Sequence, residues 1–339
     1  MAYLRPARGR PNLVVRTNAQ ATRIIIENGR ATGITYMNGG TQRTARTRGE
    51  VIVCGGVFNS PQLLQLSGIG PGALLQEFGI PVVHDLPAVG NHLQDHFYVR
   101  LAFRCTKPIT MNELANSLPR KALALTQWML FRSGPLAGNG VTAGAFARSD
   151  PRLERPDLQF NFSPWSYAMR DRRGAVAHPF PGFSLSAVHL RPDSRGTVRI
   201  KSPDPLAPPS IRFNFLQTQS DIQALTAGMR LARKFTQQPA LAPYVAEEII
   251  PGPSVNTDAE FEANIRQNAN SNLHPVGTCR MGPDGESVVD PRLRVHGIGR
   301  LRVVDAAIMP TVPAGNTNAP TIMIGEKASD MILEDARTA

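Results

Sequence analysis

The chain has 339 residues, 42% of them hydrophobic, with 37 Lys and Arg against 26 Asp and Glu and a formal net charge of +11. That length allows two domains or one large domain with an insertion, and the apolar fraction supports a packed core and argues against disorder. The 29 Gly and 29 Pro are scattered rather than periodic, which excludes collagen, and no solenoid or propeller repeat is found.

The basic excess is mostly isolated arginines. Arg5, Arg8, Arg10 and Arg16 lie close together, but no dense Lys/Arg block and no nucleic-acid signature follows, so a solvated Arg-rich surface is expected and no nucleic-acid partner. Cys54, Cys105 and Cys279 form no CxxC pair, which argues against a disulfide framework or a metal site and for a reducing compartment. No apolar run reaches membrane-spanning length, and the first twenty residues hold no apolar signal core. The expectation is a cytoplasmic chain, with peripheral contact to the inner membrane left open.

In chain order, 12–16, 21–27 and 31–36 read as strands, with Asn28-Gly29 as a hairpin turn. Residues 49–54 read as a buried strand running into Gly55-Gly56 and a helix from Ser60-Pro61, where Ser60 can cap and proline is tolerated. Strand, glycine turn and capped helix can present backbone N–H groups to an anion. Strands are expected at 97–105, 156–162, 183–190 and 196–201, and helices at 119–132, 218–237 and 257–269. In the second helix Ile222, Leu225, Met229 and Ala232 recur at helical spacing. A strand at 301–304 and a helix at 321–335 close the chain. Glu247 and Glu248 are expected on a solvated face. The outline is an α+β middle region bracketed by two segments that read as parts of one nucleotide-binding domain.

Three motifs carry chemistry: Gly55-Gly-Val-Phe-Asn-Ser-Pro-Gln-Leu-Leu-Gln-Leu-Ser-Gly-Ile-Gly-Pro71, His274-Pro-Val-Gly-Thr-Cys-Arg-Met-Gly282, and Val303-Val-Asp305 followed by Gly315-Asn-Thr-Asn-Ala-Pro-Thr-Ile-Met-Ile-Gly325. Singly each is weak: a lone His is more often structural, and Asn in a Gly/Pro-rich turn often serves the turn. Their order and spacing resemble the glucose–methanol–choline (GMC) oxidoreductase family, in its bacterial alcohol and choline dehydrogenase branch. The resemblance also includes Ala2-Tyr-Leu-Arg-Pro6, Val89-Gly-Asn-His-Leu-Gln-Asp-His96, Gly134-Pro-Leu136 and Ser194-Arg-Gly-Thr-Val198. It implies an α/β plus α+β fold: the remainder of an FAD-binding Rossmann-like domain with an inserted antiparallel-sheet substrate domain. The divisions expected are 1–95, 96–265 and 266–339.

Two positions depart from the family. Val57 stands where a small residue is usual and is expected to tighten the approach to the flavin. His92 stands where Asn is usual, which puts in doubt any role relatives give that Asn. The larger departure is that no Gly-x-Gly-x-x-Gly turn, which in the family holds the FAD pyrophosphate, occurs in a strand-to-helix context. Residue 1 matches a point inside the family's FAD domain, so an N-terminally truncated form is expected.

Oxidation of an alcohol needs a base for the hydroxyl proton and a polar group for the developing alkoxide. The resemblance places these roles on His274 and Asn316, with Asn318 competing for the second. It places FAD contacts at Ala21, Asn59, Ser60, Asp305, Ala306, Asn316 and Thr317. Capping explains Ser60 and Asp305 equally well. Asn91 and Asp95-His96 are read as ordering the crossing between domains, with His96 a lesser catalytic candidate. His84, His178, His189 and His296 are read as structural or exposed. Phe160, Phe162, Trp165 and Trp128 suggest an apolar pocket for an aliphatic or aromatic primary alcohol, with choline possible. The electron acceptor (quinone, dye-type carrier or oxygen) is left open. Two alternatives stand beside this reading: a hydroxynitrile-lyase-like FAD protein, and a non-catalytic or FAD-deficient fragment.

Overall fold

The computed structural model describes residues 2–138, 140–171, 174–283 and 285–338. Near its start lies an antiparallel meander of Ala19–Glu27, Arg30–Asn38 and Thr41–Arg46, paired in that order. Asn28 and Gly29 form the first turn with φ of 50° and 72°, and left-handed values at both central positions are what a tight hairpin asks of Asn-Gly. The strand expected at 12–16 is absent: residues 13–17 have no regular structure, and the first strand begins at Ala19. The third strand, Thr41–Arg46, was not expected. Its side chains are exposed throughout, so no hydrophobic alternation marks it.

Val51–Val53 pairs in parallel with Leu301–Val303, which brings opposite ends of the chain together. Each strand feeds a segment that covers it: helix Gly56–Leu66 after the first, and a 3-10 turn and helix Asn318–Thr338 after the second. The resulting core is assembled from Val53, Leu64, Val276, Val303, Ile308 and Ile324, among others. Val57 packs into this core and is buried. Its branched side chain therefore fills the interior.

The middle of the chain forms an antiparallel sheet in the order Val245–Ile250, Phe97–Cys105, Gly182–His189, Leu158–Ser163, Ala143–Ala147, with Asn270–Ser271 added at the far end of Phe97–Cys105. Helix Gln219–Thr236 lies against it and buries Ile222, Leu225, Met229 and Ala232, the face its sequence spacing predicts. Contact is close at Gly228, where an added Cβ would come within 2.9 Å of Ala187 Cβ. Thr218 caps this helix at Asp221 N, and a Thr257–Glu260 capping box starts helix Asp258–Asn268. Strand alternation separates the two glutamates: Glu247 pairs with Arg104 in solvent, whereas Glu248 is largely buried in a 2.8 Å ion pair with Arg233. The solvated-face expectation therefore holds for Glu247 alone.

The four aromatic rings expected in one pocket are dispersed. Phe160 and Phe162 line a cleft of about 250 Å³ with Leu185 and Phe235. Trp165 packs on Tyr167, and Trp128 is 36% exposed with the Arg132 guanidinium over its ring. Trp128 belongs to helix Leu118–Phe131, which also exposes Leu118, Leu123, Met129, Leu130 and Phe131.

Candidate active site

Gln94 ties three distant segments into one floor. Its backbone exchanges hydrogen bonds with Val276 (3.1 and 2.8 Å), its amide donates to the Pro192 carbonyl (2.5 Å), and its amide oxygen accepts from Val312 N (2.8 Å). The side chain is buried, so the bonds form where water cannot compete. The next residue fixes the His274 loop: Asp95 accepts from His274 N at 2.8 Å through one oxygen and from the Ser271 hydroxyl through the other. The His96 carbonyl accepts from Asn272 N at 2.8 Å.

These anchors set two imidazoles together. His96 Nδ1 and His274 Nδ1 are 3.0 Å apart, with the rings edge to face and their centroids 5.2 Å apart. His96 is fully buried and His274 partly so. Burial, and then the neighbouring His274 charge, push His96 down to about 4. Burial also lowers His274 below the ordinary histidine value. Burial raises Asp95 to about 6 against the opposing pull of its Ser271 and backbone donors. Burial thus favours the neutral form of both imidazoles, and a neutral His274 can accept a proton.

The loop is held from below by a second device. Helix Gly56–Leu66 contains Pro61, which has no N–H to give the carbonyl four residues back. That carbonyl belongs to Val57, and the Thr278 hydroxyl donates to it at 2.6 Å. At Gly277 an added Cβ would stand 2.4 Å from the His92 carbonyl. His92 itself has φ of 59°, a left-handed conformation that Asn adopts more readily than most residues.

Ser60 and Asp305 meet at the glycine turn, and Ala306 follows as the first residue of the 3-10 turn Ala306–Ile308. Asp305 Oδ2 accepts from Gly56 N (2.9 Å) and the Ser60 hydroxyl (2.6 Å), Oδ1 accepts from Ala307 N (2.7 Å), and Ser60 Oγ accepts from Gly55 N (3.0 Å). Two expectations change. The helix begins at Gly56, not Ser60, so Ser60 and Pro61 lie inside it. The first N–H groups of the turn are directed at Ser60 and at the protein's own carboxylate, so they are not offered to an external anion. Burial raises Asp305 against these three bonds.

Ala21 and Asn59 lie apart from the histidines. They line a cleft of about 320 Å³ at the carboxyl end of strand Val51–Val53, together with Gln20, Ile52, Gly55 and Leu63. No charged side chain lines it, and that position in an α/β sheet is where nucleotide ligands bind. Its residues fit one portion of a dinucleotide. Asn316 is exposed and Thr317 partly so, in the loop entering helix Asn318–Thr338, where the Thr317 carbonyl accepts from Thr321. Val312 anchors this loop to Gln94 beside the histidine pair, while Asn316 makes no hydrogen bond to His274 among the described residues. Asp95, Asn272 and Thr278 were not among the expected site residues. Asp95 and Thr278 lie inside quoted motifs, whereas Asn272 carried no signal.

The fold is an α/β core with an inserted antiparallel sheet, and the chain belongs to the GMC oxidoreductase family. Models of that family match residues 1–98 and 192–325, together more than half of the chain. Over 332 residues it is 44% identical to the oxygen-dependent choline dehydrogenase of Pseudomonas aeruginosa strain LESB58, a match that covers 97% of this chain and 58% of that protein. It is 42% identical over 334 residues to the alcohol dehydrogenase [acceptor] of Pseudomonas putida, covering 98% of this chain and 60% of that protein. Among solved structures, a formate oxidase of Aspergillus oryzae RIB40, described through the modification of its FAD, superposes with a TM-score of 0.89 at 26% identity, covering 98% of this chain and 63% of that one. The pyridoxine 4-oxidase of Mesorbium loti gives 0.82 at 26%, covering 96% and 59%. The chain thus spans about three-fifths of the length of the curated relatives it matches.

Proposed function

We propose that this chain carries the proton-handling part of an FAD-dependent oxidation of a primary alcohol to an aldehyde. One observation carries the reading: His274 is partly exposed, its Nδ1 lies 3.0 Å from that of the buried His96, and its backbone is held by Asp95. FAD, when bound, supplies the hydride acceptor. His274 takes the hydroxyl proton, and Asn316 donates a hydrogen bond to the oxygen as negative charge grows on it. Ala21 and Asn59 contact the cofactor from the cleft, Ser60 and Asp305 hold the glycine turn behind it with Ala306 next in the chain, and Thr317 sets the loop that bears Asn316. Relatives named for choline and for alcohols support a small alcohol as substrate, and their names divide between oxygen and another acceptor.

The test is to add FAD to the purified chain and then a primary alcohol without air. Retained yellow flavin that bleaches with alcohol in the wild type, but not in His274→Ala, is the expected result. Retained flavin that never bleaches, with cleavage of a cyanohydrin, supports the lyase alternative. A chain that retains no flavin overturns the reading for this polypeptide.

We also propose a cytoplasmic location with contact at the inner membrane through helix Leu118–Phe131. No acidic residue occurs from Leu114 to Ser149, while Arg120, Lys121, Arg132 and Arg148 do, and basic apolar helices bind anionic lipid surfaces. No helix of the described residues is long and apolar enough to cross a membrane. Co-sedimentation with phosphatidylglycerol vesicles but not phosphatidylcholine vesicles is expected. Equal absence from both pellets would rule the contact out.

A further inference from the structure

The contact between His96 and His274 joins two nitrogens of the same kind, and one must donate while the other accepts. The direction decides which nitrogen of His274 is left bare. If His96 Nδ1 donates, His274 carries its proton on Nε2 and has no lone pair to offer at that position. If His274 Nδ1 donates, its Nε2 is bare and can take a proton.

The surroundings of His96 favour the second direction. Its Nε2 is buried and has no hydrogen-bond partner, and the ring is fully buried. The carbonyls of Pro313 and Leu190 lie beside the ring. They act on the ring as acceptors that favour its bearing protons, while Nε2 itself has no bonded partner. A bare nitrogen among carbonyl oxygens is repelled, whereas a protonated one is attracted. The proton of neutral His96 therefore sits on Nε2, and its Nδ1 is the acceptor toward His274.

We propose that His96 is a positioning residue: through its Nδ1 it accepts the Nδ1–H of His274, which holds His274 in the tautomer with Nε2 bare. This rests on the reading of His274 as the base. On that reading the hydroxyl proton is received at Nε2, and the resulting imidazolium keeps its Nδ1–H bond to His96, so nothing rearranges as charge forms. Asn272 is the competitor. Its side-chain amide lies 3.2 Å from the same His274 Nδ1 through the nitrogen. A donor there demands the opposite tautomer, while the amide turned by half a rotation presents its oxygen and reinforces the proposed one.

The test needs neither cofactor nor turnover. The chain is labelled with 15N-histidine, and two-bond proton–nitrogen correlations near pH 7.5 report which ring nitrogen of each histidine bears hydrogen. Loss of one pattern in His274→Asn assigns it. The expected wild-type result is His274 protonated on Nδ1 and bare on Nε2, with His96 the reverse. In His96→Leu the His274 pattern moves to Nε2–H or to a mixture, and in His96→Asn, whose amide oxygen can accept, it returns. Should the Leu variant fail to fold, the wild-type spectrum still decides. A wild-type His274 protonated on Nε2 overturns the proposal and assigns the control to Asn272. Flavin binding and bleaching test the enzyme reading separately, so failure of either leaves the other measurable.

Discussion

The two cores of this molecule are built on different principles. The inserted sheet is antiparallel throughout, is covered by helices Gln219–Thr236 and Asp258–Asn268, and is held by apolar packing. The other core rests on a two-stranded parallel pair drawn from opposite ends of the chain, and parallel sheets of that size are rarely self-sufficient. It is stitched by buried polar bonds between distant residues: Asp305 to Ser60 and Gly56, Thr278 to Val57, and Arg302 to Glu50 and Asp335. Packing tolerates gradual change, whereas a buried polar stitch fails when one partner goes. The part that presents the candidate chemistry is therefore also the part most sensitive to single polar substitutions.

The largest effect is expected in the apolar core. Phe160 is 2% exposed and lies edge-on to Phe235 with ring centroids 4.8 Å apart. Phe160→Ala should cost about 3–5 kcal/mol in urea unfolding. A cost under about 1 kcal/mol would mean that this sheet is not held by packing. Arg302 is the counterpart on the other side. It is 2% exposed and bonded to Glu50 at 2.5 Å and Asp335 at 2.6 Å. Arg302→Met should cost about 3 kcal/mol, because Glu50 and Asp335 lose the buried cation that bridges them. A neutral result in the same titration would move this network to the class of replaceable surface pairs.

Acid separates the histidine pair from both. His96 titrates near 6.5 when unfolded and about 4 when folded. Its neutral ring contributes stability that is full above pH 6.5 and lost as pH falls through 4. Asp95, raised to about 6, runs the other way: its contribution is full below its unfolded value and lost as pH rises through 6. The wild type thus shows a partial cancellation, and His96→Gln should uncover the Asp95 trend. Between pH 7.5 and 4.5 the wild type should lose about 2 kcal/mol more than the variant. Parallel losses in the two proteins would contradict the burial assigned to His96.

Legibility in the sequence follows the same division. The Asn28-Gly29 hairpin and helix Gln219–Thr236 were readable because turn chemistry and 3.6-residue spacing are local. Thr41–Arg46 was not, since an all-exposed strand shows no pattern. Ser60 looked like a cap because the residue that ties down the helix start, Asp305, lies at the far end of the chain. His274 was recognisable only through the order of several motifs. The contact that gives it a partner links positions far apart in sequence, and no spacing rule reaches that far.

The smallest predicted effect tests the stitch most directly. Pro61 leaves the Val57 carbonyl without its helical donor, and Thr278 supplies one from the His274 loop. Thr278→Val removes that hydroxyl at nearly constant volume and strands a buried acceptor, which should cost about 1–2 kcal/mol. Pro61→Ala returns an N–H at the position from which the helix would satisfy Val57 itself. In that background the Thr278→Val penalty should shrink to about 0.5 kcal/mol or less, a coupling readable in a double-mutant cycle of urea midpoints. Strict additivity would show that the hydroxyl serves something other than the carbonyl proline leaves open, and the loop would then owe its position to Gln94 and Asp95 alone.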